Sequence, residues 1–319
     1  MLAIENAVPE NGKIIVESTP NGVGNLFHRM VMADNDYAKK AYGWWWHYTP
    51  EQIDVIRRRI NDPQRFAQEY ELEFLAAGRS VFDQQMLKKA QKNILNVGDA
   101  VKHEDGTTHF VKEIEHGLRI YKQPEVDGIY MAGADVAEGV TGGDYSVYTI
   151  FNRKTGEEVA FFRGYVPPDV FGRYINIWGR MYNNALTAVE SNNHGLTTIT
   201  KLKELLYPQI YFRPSNFDTM GAPMSERLGW RTTKVTRPLL IDDLAQAIRE
   251  GFLTIHSKET ISEMITFVYN DAGNMVPQPG FHDDCIFATG ICYQGFKILY
   301  DRKLDQISYE KHLPSNFSY

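Results

Sequence analysis

The alternation of apolar and polar residues in the first part of the chain predicts mainly helices. Residues 13–18 (KIIVES) predict a strand that ends in the turn sequence TPNG, and residues 24–33 predict a helix. The aromatic run at residues 43–48 (GWWWHY) predicts a buried strand. Thr49, Pro50 and Gln52 have the spacing of a helix-start capping box, so a helix is expected from there to about residue 61. A second helix is predicted over 63–72.

From residue 117 onwards the pattern changes to strands separated by helices, which predicts an α/β fold with a mixed sheet flanked by helices. Strands are predicted at 128–135, 145–152, 157–164, 185–190 and 209–213. Helices are predicted at 168–183, 195–206, 238–251, 257–269 and 281–300. The composition shifts around residues 78–95, so we expect two regions, 1–90 and 91–319.

Bulk properties exclude several classes of protein. The chain has 319 residues, a net charge of −6 and two cysteines, Cys285 and Cys292. There is no CxxC pair, so the sequence does not support a zinc site. No signal sequence or apolar run of bilayer length is apparent, so we expect a cytoplasmic location and no membrane association. The negative charge argues only weakly against a nucleic-acid partner, because local basic patches matter more than the net charge.

Acidic residues occupy three positions suited to metal binding. Asp135 and Glu190 each end a predicted strand, and the pair Asp283 and Asp284 opens the last predicted helix. Such acids can hold two divalent ions about 4 Å apart for phosphodiester hydrolysis. Hard oxygen ligands favour Mg²⁺ or Mn²⁺. Any one of these acids is explained equally well as a turn residue or helix cap, so the prediction depends on their joint occurrence.

Three further residues have open roles. Asp144 follows Asp135 by nine residues and is either an auxiliary metal ligand or a turn residue. His194 and His282 stand beside the acidic positions and are either helpers that contact the substrate or loop histidines without a role.

Several segments of the chain resemble the large terminase subunit of tailed bacteriophages, the motor that packages DNA. GADVAEGVTGGDYSVYTIF is similar to the first nuclease motif of that family, AVESNNHG to the second and FVYNDAGNMVPQPGFHDDCIFATGI to the third. LGWRTTKVTRPLLIDDLAQAIREG resembles the connecting segment. The resemblance implies a ribonuclease H-like fold and a nuclease that cuts concatemeric double-stranded DNA. It also implies that the metal ligands are Asp135, Glu190 and one or both of Asp283 and Asp284.

The beginning of the chain is similar to the end of the family's ATPase domain. IIVESTPNGVGNLFHRM contains Ser18, Thr19 and Pro20, which match its coupling motif, and RFAQEYELEFLAAGRSVFD is similar to the linker to the nuclease. The phosphate-binding pattern GxxxxGK[ST] does not occur in the sequence. We therefore expect residues 1–90 to be the remnant of an ATPase domain and linker that does not hydrolyse ATP alone. The implied partners are the portal, the small terminase subunit and a separate ATPase half.

Three alternatives remain open at this stage. The first is another ribonuclease H-like nuclease, such as a resolvase or recombinase. The second is a motor or docking module with an inactive nuclease. A cofactor-binding α/β protein is disfavoured because GADVAEG does not fit GxGxxG.

Overall fold

The structure, a computed structural model, describes residues 8–9, 11–20, 22, 26–32, 35–74, 79–102, 106–213, 228–270 and 272–309. The chain forms two compact units, Met1–Arg79 and Ser80–Tyr319. Among the described residues, no helix combines the length and apolar character that crossing a bilayer would require.

The first unit consists of short helices. They are α1 (Leu26–Met32), a 3-10 turn (Trp44–Trp46), α2 (Pro50–Ile60) and α3 (Pro63–Tyr70). The predicted capping box is confirmed: the Gln52 N–H donates to Oγ1 of Thr49 (3.3 Å), and the Thr49 N–H donates back to Oε1 of Gln52 (2.9 Å). Asp62 caps α3 in the same way by accepting from the Arg65 N–H. Local sequence therefore determines where these helices begin.

Two strand predictions in this unit were wrong. Residues 13–18 form neither strand nor helix, and Ile15 is 87% exposed. A lone strand has no hydrogen-bonded neighbour, so its apolar pattern alone does not make it stable. Residues 43–48 form a 3-10 turn instead of a buried strand, because the Trp46 and His47 N–H groups bond to the carbonyls three residues earlier. Trp46 consequently remains 62% exposed.

The second unit contains most of the regular structure. Its strands, with β1 starting at the division between the units, are β1 (Arg79–Ser80), β2 (Ala100–Lys102), β3 (Thr108–Phe110), β4 (Lys112–Glu113), β5 (Arg119–Ile120), β6 (Tyr130–Asp135), β7 (Ser146–Asn152), β8 (Glu157–Gly164), β9 (Leu186–Val189), β10 (Phe267–Tyr269) and β11 (Met275–Pro277). Its helices are α4 (Gln84–Ala90), α5 (Pro168–Met181), α6 (Asn193–Glu204), α7 (Thr236–Glu250), α8 (Lys258–Ile265), α9 (Asp284–Tyr309) and two 3-10 turns (Gln91–Asn93, Glu115–Gly117).

The central sheet has six strands in the order β4-β5-β8-β7-β6-β9. All neighbouring pairs are antiparallel except β6 and β9, which are parallel. The predicted fifth strand at 209–213 is reduced to isolated bridges, of which Ile210 pairs in parallel with Thr187 of β9. The mixed sheet and its main strands are thus as the sequence predicts.

Helices cover both faces of this sheet. On one face, Phe171, Ile175 and Trp178 of α5 pack with Ala132 and Ala134 of β6. On the other face, α7, α8 and α9 form a second core that includes Met131 of β6 and Leu186 and Ala188 of β9. Because helices cover both faces, every residue of β7 is buried. The predicted helix at 257–269 is too long, because its last residues pair as β10 with β11.

Candidate metal centre

The alternation of side chains along two parallel strands directs Asp135 and Glu190 to the same face of the sheet. On β6, Met131 and Gly133 face α9, so Asp135 follows them at the strand end. On β9, Ala188 faces the same core, so Glu190 continues that series. Glu190 donates its N–H to the carbonyl of the residue before Asp135 (2.9 Å). The two acids are therefore side by side at the carboxyl ends of neighbouring strands.

The third acidic position reaches them because α9 lies directly on β6. A Cβ atom at Gly133 would lie only 2.0 Å from the Ala288 carbonyl oxygen and 2.6 Å from the Cys292 nitrogen. Only glycine permits this approach of helix and strand backbones. Asp284, the first residue of α9, is consequently brought to the end of β6.

These elements surround a cavity of about 510 Å³. Six carboxylates and one imidazole contribute to its lining: Asp135, Glu138, Asp144, Glu190, Asp283, Asp284 and His194. All four acids singled out at the strand ends and the helix start are thus together, and Asp144 joins them. Glu138, in the loop after β6, is exposed at this site.

The electrostatics of the cavity reflect this concentration of negative charge. Burial raises the pKa of the Asp135 carboxyl well above its usual range, and the nearby Glu190 and Asp284 raise it further. Burial also raises the pKa of Asp284 to about 6, with a smaller contribution from Asp144. Neighbouring carboxylates disfavour each other's ionised form, and a bound cation would stabilise that ionised form.

Backbone and amide donors orient two of the acids. The Asn192 side chain donates to Oε2 of Glu190 (2.8 Å) and thereby restrains that carboxylate. Its oxygen accepts the N–H of Gly195 (2.7 Å), so the same side chain also caps α6. The backbone N–H of Tyr145 donates to Oδ2 of Asp284 (3.1 Å). Sequence reasoning missed both roles, although an Asn before a helix signals a cap.

The two neighbouring aspartates at the start of α9 have different surroundings. Arg237 on α7 forms an ion pair with Asp283, with Nη2 3.0 Å from Oδ2. The same guanidinium donates to the Met275 carbonyl. Asp284 is more buried than Asp283 and lies beside His282 and Asp144. Arg237 is the last of four basic residues that lie close together in the sequence, Arg227, Arg231, Lys234 and Arg237. Its partner Asp283 is 46 residues further along the chain, so the sequence pattern does not reveal the ion pair.

Asp144, His282 and Asp284 form a compact set of donors. One ligand atom from each lies within 4.8 Å of the others. Nδ1 of His282 lies 3.5 Å from Oδ1 of Asp144 and 3.7 Å from Oδ2 of Asp284. Two carboxylates and an imidazole suit a divalent cation. Residues present at this end of the cavity therefore fit a metal ion.

The residues matched to the ATPase coupling motif are in the first unit. Ser18 and Thr19 are both exposed, and Oγ of Ser18 donates to the Thr19 carbonyl (3.0 Å). Their assignment to a coupling motif stays a prediction.

Solved structures similar to this chain are nuclease domains of large terminases from several phages. The cobalt-bound nuclease of thermophilic phage G20c matches with a TM-score of 0.50 at 16% identity, over 68% of this chain and 98% of that one. The nuclease domain of Thermus phage P74-26 matches with a TM-score of 0.46 at 18% identity, over 67% of this chain and 94% of that one.

A third similar structure is a nuclease-domain mutant from bacterial virus Sf6 with manganese and beta-thujaplicinol. It has a TM-score of 0.39 and 12% identity, over 67% of this chain and 97% of that one. No family model matches the sequence. The predicted resemblance is confirmed at the level of the fold, which is ribonuclease H-like.

Proposed function

We propose that this chain is a metal-dependent endonuclease that cuts double-stranded DNA during phage genome packaging. The observation that carries the proposal is the convergence of Asp135, Glu190 and Asp284 on one cavity of a ribonuclease H-like fold. The three acids come from strand, strand and helix, and they are drawn together by the close packing of α9 on β6. The sequence motifs around these acids support the packaging role.

The ligands we assign are Asp135, Glu190 and Asp284, with Asp144 as an auxiliary ligand and Asp283 held aside by Arg237. Oxygen donors of this kind select Mg²⁺ or Mn²⁺, and bound ions would supply a nucleophilic hydroxide and offset the charge of the scissile phosphate. The similar nuclease of phage G20c was solved with magnesium as well as cobalt, which is consistent with a divalent ion here. The role of the protein is to orient these carboxylates: Asn192 restrains Glu190 and the Tyr145 N–H restrains Asp284.

DNA is the substrate class that such a site accommodates. The cavity is open enough for a backbone phosphate, and His194 and Arg237 on its lining are suited to contact it. Because phosphate contacts release counterions, we expect DNA affinity to fall steeply with salt.

The wider assignments follow from the resemblance to large terminases. We infer that the chain acts in the cytoplasm of the infected host with the portal and the small terminase subunit. A separate ATPase half would complete the motor. ATP hydrolysis is not expected from this chain alone, because its sequence lacks GxxxxGK[ST]. Ser18 and Thr19 would then be idle until that half is present.

The proposal is tested by nicking of supercoiled plasmid with Mg²⁺, with Mn²⁺ and with chelator. The wild-type chain is compared with Asp135→Asn and with Asp242→Asn, an exposed acid on α7 outside the cavity. Metal-dependent nicking that Asp135→Asn abolishes and Asp242→Asn retains is the expected result. If the wild-type chain is folded but cuts plasmid with neither Mg²⁺ nor Mn²⁺, it is not a competent nuclease by itself, and the docking module is favoured.

A substrate panel separates the proposal from the other ribonuclease H-like nucleases. A terminase nuclease should cut linear duplex and plasmid with little preference. Strong selectivity for a four-way junction over duplex would favour a resolvase instead.

A further inference from the structure

A buried carboxylate from α8 is bound to the first turn of α9. Oε2 of Glu263 accepts the backbone N–H of Cys285 (2.8 Å) and of Ile286 (3.2 Å). Helix-start amides have no partner within their own helix, and a buried carboxylate needs donors, so each satisfies the other. Glu263 is only 5% exposed and does not line the cavity. Any effect of Glu263 on the metal centre is therefore transmitted through other residues.

A second set of contacts leads from the same carboxylate to the Asp284 side chain. Oε1 of Glu263 lies 3.5 Å from Nη2 of Arg163 on β8. The Arg163 guanidinium lies over the Tyr145 ring, 3.6 Å from its centre, a cation–π contact that restrains the aromatic residue. The backbone N–H of that same Tyr145 donates to the Asp284 carboxylate (3.1 Å).

We propose that Glu263 is a positioning residue of this metal centre. It holds the turn that carries the Asp284 backbone, and through Arg163 and Tyr145 it also holds the direction of the Asp284 carboxylate. The inference deepens the proposed function and rests on it. Two independent routes that begin at one buried side chain and end at one ligand explain why a charged group is kept in the core.

The competing explanation is that Glu263 only braces the fold. Glu259 provides a matched control, because it lies one turn earlier on α8 and forms a two-pronged ion pair with Arg119 (2.7 and 3.1 Å). That pair is also partly buried, and among the described residues neither partner hydrogen-bonds to α9. Loss of either glutamate should lower the stability of the fold, whereas only loss of Glu263 should change the position of the Asp284 carboxylate.

The test measures Mn²⁺ binding by calorimetry, without DNA, for the wild-type chain, Glu263→Gln and Glu259→Gln. Thermal unfolding in chelator is recorded beside it. We expect both variants to unfold at lower temperature, but only Glu263→Gln to raise the Kd for Mn²⁺, by about tenfold, the usual effect of losing a group that supports a ligand. The Mn²⁺ concentration for half-maximal nicking should rise in parallel.

The possible failures are distinct. Equal Mn²⁺ affinity of the two variants, with tight wild-type binding, would overturn the positioning role while leaving the nuclease intact. A wild-type chain that binds no Mn²⁺ would overturn the metal centre and this inference with it. If Glu263→Gln does not fold, Arg163→Lys decides: it keeps the charge beside Glu263 but loses the planar contact with Tyr145. A raised Kd in that variant supports the route through Arg163 and Tyr145, and an unchanged Kd overturns that route.

Discussion

Arg237 and Asp283 form an ion pair at the edge of the metal centre, with Nη2 of the arginine 3.0 Å from Oδ2 of the aspartate. The guanidinium also lies 4.9 Å from the centre of the Phe287 ring and donates to the Met275 carbonyl, so it has a defined position. Asp283 is thereby engaged by a protein cation, while Asp284 has its carboxylate directed towards Asp144 and His282.

This difference predicts unequal effects of substituting the two adjacent aspartates. Asp284→Asn should lower metal-dependent nicking by at least about 100-fold, whereas Asp283→Asn should lower it by only about tenfold, the scale for groups that support a ligand. The measurement is plasmid nicking across a Mn²⁺ titration. Equal losses in the two variants would show that both aspartates bind metal directly.

Asn192 should couple the stability of α6 to the orientation of Glu190. Asn192→Ala removes the cap and should cost about 1 kcal/mol of unfolding free energy. The cost corresponds to a fall of about 2–4 °C in the midpoint of thermal unfolding. It should also lower nicking, because the donor to Glu190 is lost.

A matched cap separates these two effects. Asp83 caps α4 by accepting the Gln85 and Met86 N–H groups. Asp83→Ala should cost similar stability and leave nicking unchanged. Asn192→Asp should keep the cap but place a carboxylate against Glu190, so activity falls without loss of the cap. An Asn192→Asp variant as active as wild type would contradict the role assigned to this side chain.

The pH dependence of stability should report the carboxylate cluster. The pKa of Asp135 is raised in the folded chain above its unfolded value of about 4, so the folded state holds this proton more tightly. Its unfavourable contribution is absent below the unfolded pKa, grows as pH rises from there towards the folded pKa, and is complete above the folded pKa. In chelator, Asp135→Asn should therefore match wild type at acidic pH and become more stable than wild type at neutral pH.

Thermal unfolding of the two chains across this pH range is the measurement. Asp242→Asn serves as the control for substitution of an exposed acid outside the cavity. Added Mn²⁺ should make the wild-type chain more stable than Asp135→Asn at neutral pH, because only the wild-type chain gains the full free energy of metal binding. A pH-independent gain in Asp135→Asn would contradict the electrostatic account.

Gly133 should be intolerant of a side chain. Gly133→Ala sets a Cβ atom against the backbone of α9 and should destabilise the chain by about 3 kcal/mol, the upper part of the range for overpacking. The atoms nearest a Cβ at Gly290 on α9 belong to the Leu240 side chain and not to backbone, so the cost of Gly290→Ala should be smaller. Denaturant unfolding of both variants compares them, and an equal cost would show that α9 shifts freely on β6.

The main strands of the sheet and the acids at their ends could be predicted from the order of residues along the chain. The strand predicted at 157–164 is β8, Glu157–Gly164, and the capping box at Thr49 operates as its spacing indicates. These features are set by neighbours along the chain, through the period of apolar residues and through local hydrogen bonds. For the same reason Asp135 and Glu190 were recognisable as strand-end acids.

The groups that surround those acids could not be predicted in this way, because they come from distant parts of the chain. The strand expected at 13–18 does not form, because pairing needs a partner that an apolar run cannot supply by itself. The ion pair of Asp283 with Arg237 joins residues 46 apart, and the bond of Glu263 to the Cys285 amide joins residues 22 apart. Such contacts depend on how helices pack on the sheet, so the distinction between Asp283 and Asp284 arises from packing and not from their adjacent places in the chain.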